Sequence, residues 1–258
     1  MRRPFLRRFG SLLLLAALWE AAVATRLANP DFLPALHTVL HALWELVRSG
    51  DLWLNLATSV YRALIGLAAG TAAGVLVGLM MATSRAANGF FGPLVAMTYS
   101  LPKASLVPLF ILWFGIGDVT NIATVFLATL LPVVVSTYHG VKAVPEHLVW
   151  GALAMGLTPR QILRRVMLPA ASLHILTGAR IALGFSWVLT ISAEMIAAKT
   201  GIGKLIFLYG ENGAYAHMFA GIVAILAVAY ASDRLMVRLM HALLFWHDSA
   251  DAHLEATA

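Results

Sequence analysis

The chain has 258 residues, 60% of them hydrophobic and only 12% charged, with a net charge of +6 and a mean hydropathy of +0.83. A soluble domain carries about 25% charged residues, so a water-soluble globule is excluded and the lipid bilayer is the natural solvent. Cysteine is absent, which rules out a disulfide framework, thiolate chemistry and cysteine metal sites.

The first segment, MRRPFLRR followed by an apolar run and Ala22-Val23-Ala24, has the layout of a cleavable signal. Trp19-Glu20 stands just before the small-residue site and longer apolar segments follow, so an uncleaved first span behind a cytoplasmic N-terminus (1–9) is expected. Six apolar stretches approach the roughly 20 residues a bilayer demands: 10–27, 58–83, 90–114, 121–141, 173–196 and 216–239. Between the first two lies PALHTVLHALWELVRSG, too polar to span, which reads as an amphipathic interfacial helix. Its His37, His41 and Glu45 recur at helical spacing, but such a row on a polar face is weak evidence for metal, and no metal site is assigned.

The second stretch carries Gly66, Gly70, Gly74 and Gly78, one flat stripe along a helix that lets another backbone approach closely. The third contains Pro93, Pro102 and Pro108, so a broken or kinked helix is expected there. Lys103 follows Pro102 and is the best candidate for meeting an anion in a central cavity. The aromatic residues of LFILWFG read as span packing and interfacial anchors.

Between the fourth and fifth stretches, GALAMGLTPRQILRRVMLPAAS interrupts the apolar run with three arginines, helix breakers and a capping signal. Pro145 opens a first short helix with Glu146 in its first turn, and Gly156 ends it. Thr158-Pro159-Arg160-Gln161 is a capping-box pattern opening a second helix. Ile162, Leu163, Val166 and Met167 share one face of it, and Pro169 is expected to turn the chain into the next span. A flexible linker needs no caps, so this is a structured hairpin.

With the N-terminus inside, Arg2, Arg3, Arg7, Arg8, Arg85, Lys142, Arg160, Arg164, Arg165, Arg234 and Arg238 lie in the cytoplasm, against Arg26, Arg48, Lys199 and Lys204 opposite. That bias places both termini and the hairpin inside and makes the basic balance a report of topology. No nucleic-acid partner is needed to explain it. Arg62 and Arg180 are expected to snorkel or pair near span ends, and Glu194 to pair with Lys199. His247, Asp248, Asp251 and His253 belong to a solvated C-terminal tail (246–258).

Gly156, nine residues, then Val166-Met167-Leu168-Pro169 resembles the later part of the EAA loop of binding-protein-dependent ABC importer permeases. The Glu-Ala-Ala positions read Trp150-Gly151-Ala152, so only the final alanine matches. LPKASLVPLFILWFGIGD and AEMIAAKTGIGKLI are similar to the nitrate/sulfonate/taurine branch of that family. The resemblance implies an all-α, polytopic, six-span MetI-like permease domain over 10–245, in the inner (plasma) membrane of a bacterium, with a cytoplasmic loop at 142–172. It implies ATPase coupling through Trp150, Gly151, Ala152, Leu153, Gly156, Thr158, Arg160, Gln161, Val166, Leu168 and Pro169. A second permease copy, a pair of ATPase subunits, a soluble binding protein and surrounding lipid are the implied partners. The implied substrate is a sulfonate, taurine or nitrate, although relatives in this branch also resemble importers of vitamin precursors.

The chain has no GxxxxGKS/T phosphate loop, since Gly201-Ile202-Gly203-Lys204 lacks the earlier glycine and the hydroxyl residue. ATP is therefore left to a separate polypeptide. No Ser/His/Asp or paired-carboxylate constellation stands out either, so neither an enzymatic activity nor a cofactor of its own is expected of the chain. The competing class, a proton-coupled secondary transporter or channel, predicts an inverted repeat or several intramembrane carboxylates. Neither stands out.

Overall fold

A computed structural model describes residues 3–27, 29 and 31–244. In chain order the helices are α1 (Arg3–Ala24), α2 (Leu36–Ser49), α3 (Asp51–Thr83), α4 (Arg85–Tyr99), α5 (Val107–Phe114), α6 (Asp118–Lys142), α7 (Glu146–Ala154), α8 (Pro159–Ile162), α9 (Leu168–Ala197), α10 (Ile202–Glu211) and α11 (Tyr215–Leu243). A 3₁₀ turn (Lys103–Leu106) precedes α5 and a π turn (Leu163–Met167) joins α8 to α9. Among the described residues there is no strand. The tail expected at 246–258, with its histidines and aspartates, lies outside them.

The expected count of six spans is not exact among the described residues. Among the described residues, four helices are long and apolar enough to cross a bilayer: Asp51–Thr83, Asp118–Lys142, Pro159–Ala197 and Tyr215–Leu243. A fifth forms only if Arg85–Tyr99 and Lys103–Phe114 count as one span bent by 96°. The first expected span falls in α1, whose described part includes an apolar helix over Leu13–Ala24. Its end is tied to α2: Glu20 accepts the Leu36 N–H at 2.9 Å, and the Trp19 indole N–H donates to the Pro34 carbonyl at 3.0 Å.

The bend in the third stretch falls at Pro102, which disfavours helical backbone at Leu101. Pro93 stays within α4, and Pro108 sits in the first turn of α5, where no N–H is required.

The centre of the bundle is α6, packed between α3 and α9. Gly66, Gly70, Gly74 and Gly78 lie against Val125, Thr129, Val133 and Thr137 of α6, and a Cβ on Gly66, Gly74 or Gly78 would stand 2.6–2.8 Å from the facing side chain. On Gly70 it would overlap the Thr129 hydroxyl. Both rows advance by four residues, so the stripe read from the sequence meets a matching ridge. On the other side of α6, its Gly140 receives His174 of α9, and Gly178 of α9 receives Ser136 of α6.

One end of the bundle buries a core from α2, α3, α9, α10 and α11, including Val39, Leu46, Leu56, Trp187, Ile202 and Ile225. The opposite end gathers Ala82, Val141, Val144 and Ala171 where α3 and α6 finish and α9 begins.

Candidate functional site: the capped hairpin and the buried ion cluster

Local hydrogen bonds build the hairpin as its sequence demands. The Gly156 N–H reaches the Leu153 carbonyl at 2.9 Å and the Leu157 N–H reaches that of Ala152 at 3.2 Å. These paired closures end α7, with Gly156 at φ +77°, the left-handed conformation this motif uses. Thr158 then accepts from the Gln161 N–H at 3.4 Å, and the Gln161 side chain accepts the Thr158 N–H at 2.8 Å. That is the reciprocal capping box, with Pro159 opening α8. Pro145 stands one position earlier than expected, as the cap before α7, whose first helical residue is Glu146.

The corner expected at Pro169 does not exist. Residues Pro159–Ala197 run as one 39-residue helix. Pro169 cannot donate, and its ring crowds the carbonyl of the residue four places back, Arg165. The π turn at Leu163–Met167 widens the backbone there, with the Leu168 N–H reaching Leu163. The proline is thus absorbed, and the capped segment becomes a rigid extension of α9.

The hairpin is seated at its base and bare at its tip. Ala152 and Ile162 are buried, while Val149 and Met167 pack on the cluster formed by Ala82, Val141, Val144 and Ala171. A cavity of about 510 Å³ opens beside them, bordered by Thr83, Val149, Leu153, Arg160 and Met167. Val166, Leu168 and Pro169 are half-buried; Gly151, Thr158, Arg160, Gln161, Arg164 and Arg165 are exposed. On α7 Trp150 and Leu153, and just past its end Met155, are 64%, 51% and 75% exposed, an apolar surface presented outward.

Lys103 stands at the break between α4 and α5. Its Nζ donates to the Tyr99 carbonyl at 2.7 Å and lies 5.3 Å from the Tyr99 ring centroid. It therefore covers the carbonyl end of α4, where a cation is favoured.

The structure assembles a further group that the sequence leaves scattered. Arg62 is almost fully buried, donating through Nη1 to Glu194 at 2.8 Å and to the Thr200 carbonyl at 2.6 Å, and through Nε to Asp118 at 2.8 Å. Glu194, fully buried, also accepts from Ser59 at 2.7 Å and from the Gly203 N–H at 2.9 Å. Ser59 takes the Ile202 N–H at 2.8 Å, and Asn55 the Gly201 N–H at 2.7 Å. Gly201-Ile202-Gly203 is therefore a helix start whose orphan N–H groups are satisfied by α3 and α9. A Cβ at Gly203 would stand 2.5 Å from the Ile191 carbonyl, and at Gly201 it would overlap the Glu194 carboxylate. The expected Glu194–Lys199 pair is replaced by Glu194–Arg62. Arg180 does pair, through a two-pronged contact with Asp233 of α11 at 2.7 and 3.0 Å.

The histidine row on α2 does not converge. His37 sits 3.1 Å from Glu20, while Glu45 receives His41 at 3.4 Å and His217 at 3.1 Å. Among the described residues no group of His, Asp and Glu is placed to hold a metal.

A membrane-spanning helical bundle with a rigid capped hairpin at one end is thus the class of protein the fold defines. The family described as binding-protein-dependent transport system inner membrane component matches residues 70–244. The chain is 33% identical over 243 residues to the taurine transport system permease protein TauC of Escherichia coli (strain K12), covering 92% of this chain and 88% of that protein. It is 30% identical over 254 residues to the putative aliphatic sulfonates transport permease protein SsuC of Bacillus subtilis (strain 168), covering 96% and 92%. An inward facing conformation of the MetNI methionine ABC transporter shares the fold, with a TM-score of 0.65 at 21% identity over 78% of this chain and 96% of that one. The chain belongs to the binding-protein-dependent ABC importer permeases. It is a multi-pass, non-enzymatic transport subunit that works with a separate ATPase and a substrate-binding protein.

Proposed function

We propose that two copies of this chain form the path of an importer for a small organic sulfonate, taurine-like in size, with an ATPase subunit docked on each hairpin. The observation that carries the coupling role is the apolar surface of α7, bare at Trp150, Leu153 and Met155 while the base of the hairpin is locked into the bundle. A partner that covers those side chains and moves would push on Val149 and Met167. The push would pass to the ends of α3, α6 and α9 together. The unbroken helix from Pro159 to Ala197 then carries it to the far end of the bundle.

The hairpin end holds Arg85, Lys142, Arg160, Arg164, Arg165, Arg234 and Arg238, and the opposite end Arg26, Arg48, Lys199 and Lys204. This supports a cytoplasmic hairpin and cytoplasmic termini. ATP is bound by the ATPase, and this chain requires no cofactor of its own. Lys103, cationic at a helix break, is the anion contact of the path. The relatives named for taurine and aliphatic sulfonates support the substrate class.

The test is a mild-detergent pull-down of the tagged chain from its native membrane. A Walker-motif ATPase should co-purify with the intact chain and be lost from the Trp150→Asp, Leu153→Asp variant. A chain that stays without an ATPase, and transports in vesicles without ATP, would overturn the coupling role.

A further inference from the structure

Between α4 and α6, bounded at one side by Met81 of α3, lies a second crevice of about 430 Å³, within the ~300–1,000 Å³ range of small-ligand sites. From Asn88 near the hairpin end it follows α4 to Tyr99 and Ser100 at the helix break, a run of ~16 Å at helical rise. Its polar lining is Asn88, Tyr99, Ser100, Tyr138 and His139. None of the Asn88, Ser100, Tyr138 and His139 side chains makes a hydrogen bond to another described residue. Side chains of this kind facing hydrocarbon would be left unsatisfied, so the crevice suits water or a polar solute better than lipid.

The chemistry of the lining selects that solute. No carboxylate borders the crevice, and all five polar side chains can donate a hydrogen bond. At the helix-break end Lys103 lies against Tyr99, and at the other end His139 stands three residues from Lys142, so positive charge flanks both ends. Val95, Val134 and Val135 supply an apolar wall. Neutral donors around an apolar slot hold a small anion loosely, whereas a buried two-pronged arginine would hold it tightly.

We propose that this crevice is a resting site of the transported solute on its way through the permease, taking an organic anion with a compact sulfonate head and a short alkyl body. This rests on the sulfonate-importer reading given above.

The probe is ethanesulfonate, with the complete complex of permease, ATPase and binding protein in liposomes. A Cβ on Gly92 meets only the Asn88 side chain, at 3.7 Å, so Gly92→Leu fills the crevice without displacing backbone. Uptake should fall by about tenfold or more while the ATPase rate stimulated by the binding protein holds within about twofold. The chain has no cysteine, so Ser100→Cys gives a single thiol for an anionic methanethiosulfonate reagent. Ethanesulfonate at twice its dissociation constant should slow labelling by about threefold by mass action, and equal sodium chloride should not.

Unchanged uptake in Gly92→Leu, or labelling that ethanesulfonate does not slow, overturns the crevice as a resting site. If Gly92→Leu fails to assemble, protection of Ser100→Cys decides. A wild-type complex that moves no sulfonate overturns the substrate class, and with it the ligand assigned here; a transporting complex with an unprotected crevice overturns the crevice alone.

Discussion

Arg62 and Glu194 occupy positions where an uncompensated charge would be intolerable, and each is the other's compensation. Glu194 is also the acceptor that closes the start of α10. Removing one partner strands the other in a dry site, so Arg62→Ala should lower stability by about 3–5 kcal/mol. The fall should appear as a depressed thermal midpoint of the purified permease. Replacing both residues by methionine should recover much of that, short of the ~1 kcal/mol typical of a lost helix cap. An Arg62→Ala protein melting with the wild type would show that the cluster holds nothing together. In the sequence each residue is an isolated ion near a span end, and its partner is 132 positions away. Nothing local links them, which is why Lys199, only five residues from Glu194, was the partner expected.

The hairpin is legible element by element, because its determinants are local. Gly156 is required for its backbone, not its space: φ is +77° and nothing lies within 4 Å of an added Cβ. A β-branched residue there is disfavoured by about 1–2 kcal/mol, whereas asparagine adopts the same conformation more readily. Gly156→Val should therefore cut ATPase co-purification and uptake with the permease still inserted, and Gly156→Asn should keep both. Equal behaviour of the two variants would mean that the turn does not govern coupling. Pro169 is the exception among these local signals. Its effect depended on how the backbone around Leu163–Met167 adjusts, and a widened turn converts a break into a continuous lever.

Across the whole molecule, alternation of long helices separates two chemically different ends. One is a broad apolar core closed by α2 and α10; the other is a small cluster carrying the hairpin. The absence of cysteine makes the orientation directly measurable. With a membrane-impermeant thiol reagent, Lys199→Cys should be labelled in right-side-out vesicles and Arg160→Cys only in inverted ones. The opposite pattern would reverse the assignment of cytoplasmic and outer faces.

By itself the sequence determined the solvent, the class and the local punctuation. Hydropathy demands a bilayer, the glycine row requires a close helix neighbour, and the caps specify the hairpin, each through interactions spanning only a few residues or one helix face. Which helix fills the glycine row was decided only by the tertiary structure, because packing against Val125, Thr129, Val133 and Thr137 needs chain segments about 59 residues apart to meet. The same holds for the number of full spans, the pairing of Arg62 with Glu194 and the crevice between α4 and α6. Burial, close packing and charge compensation act through space, and linear spacing carries no record of them.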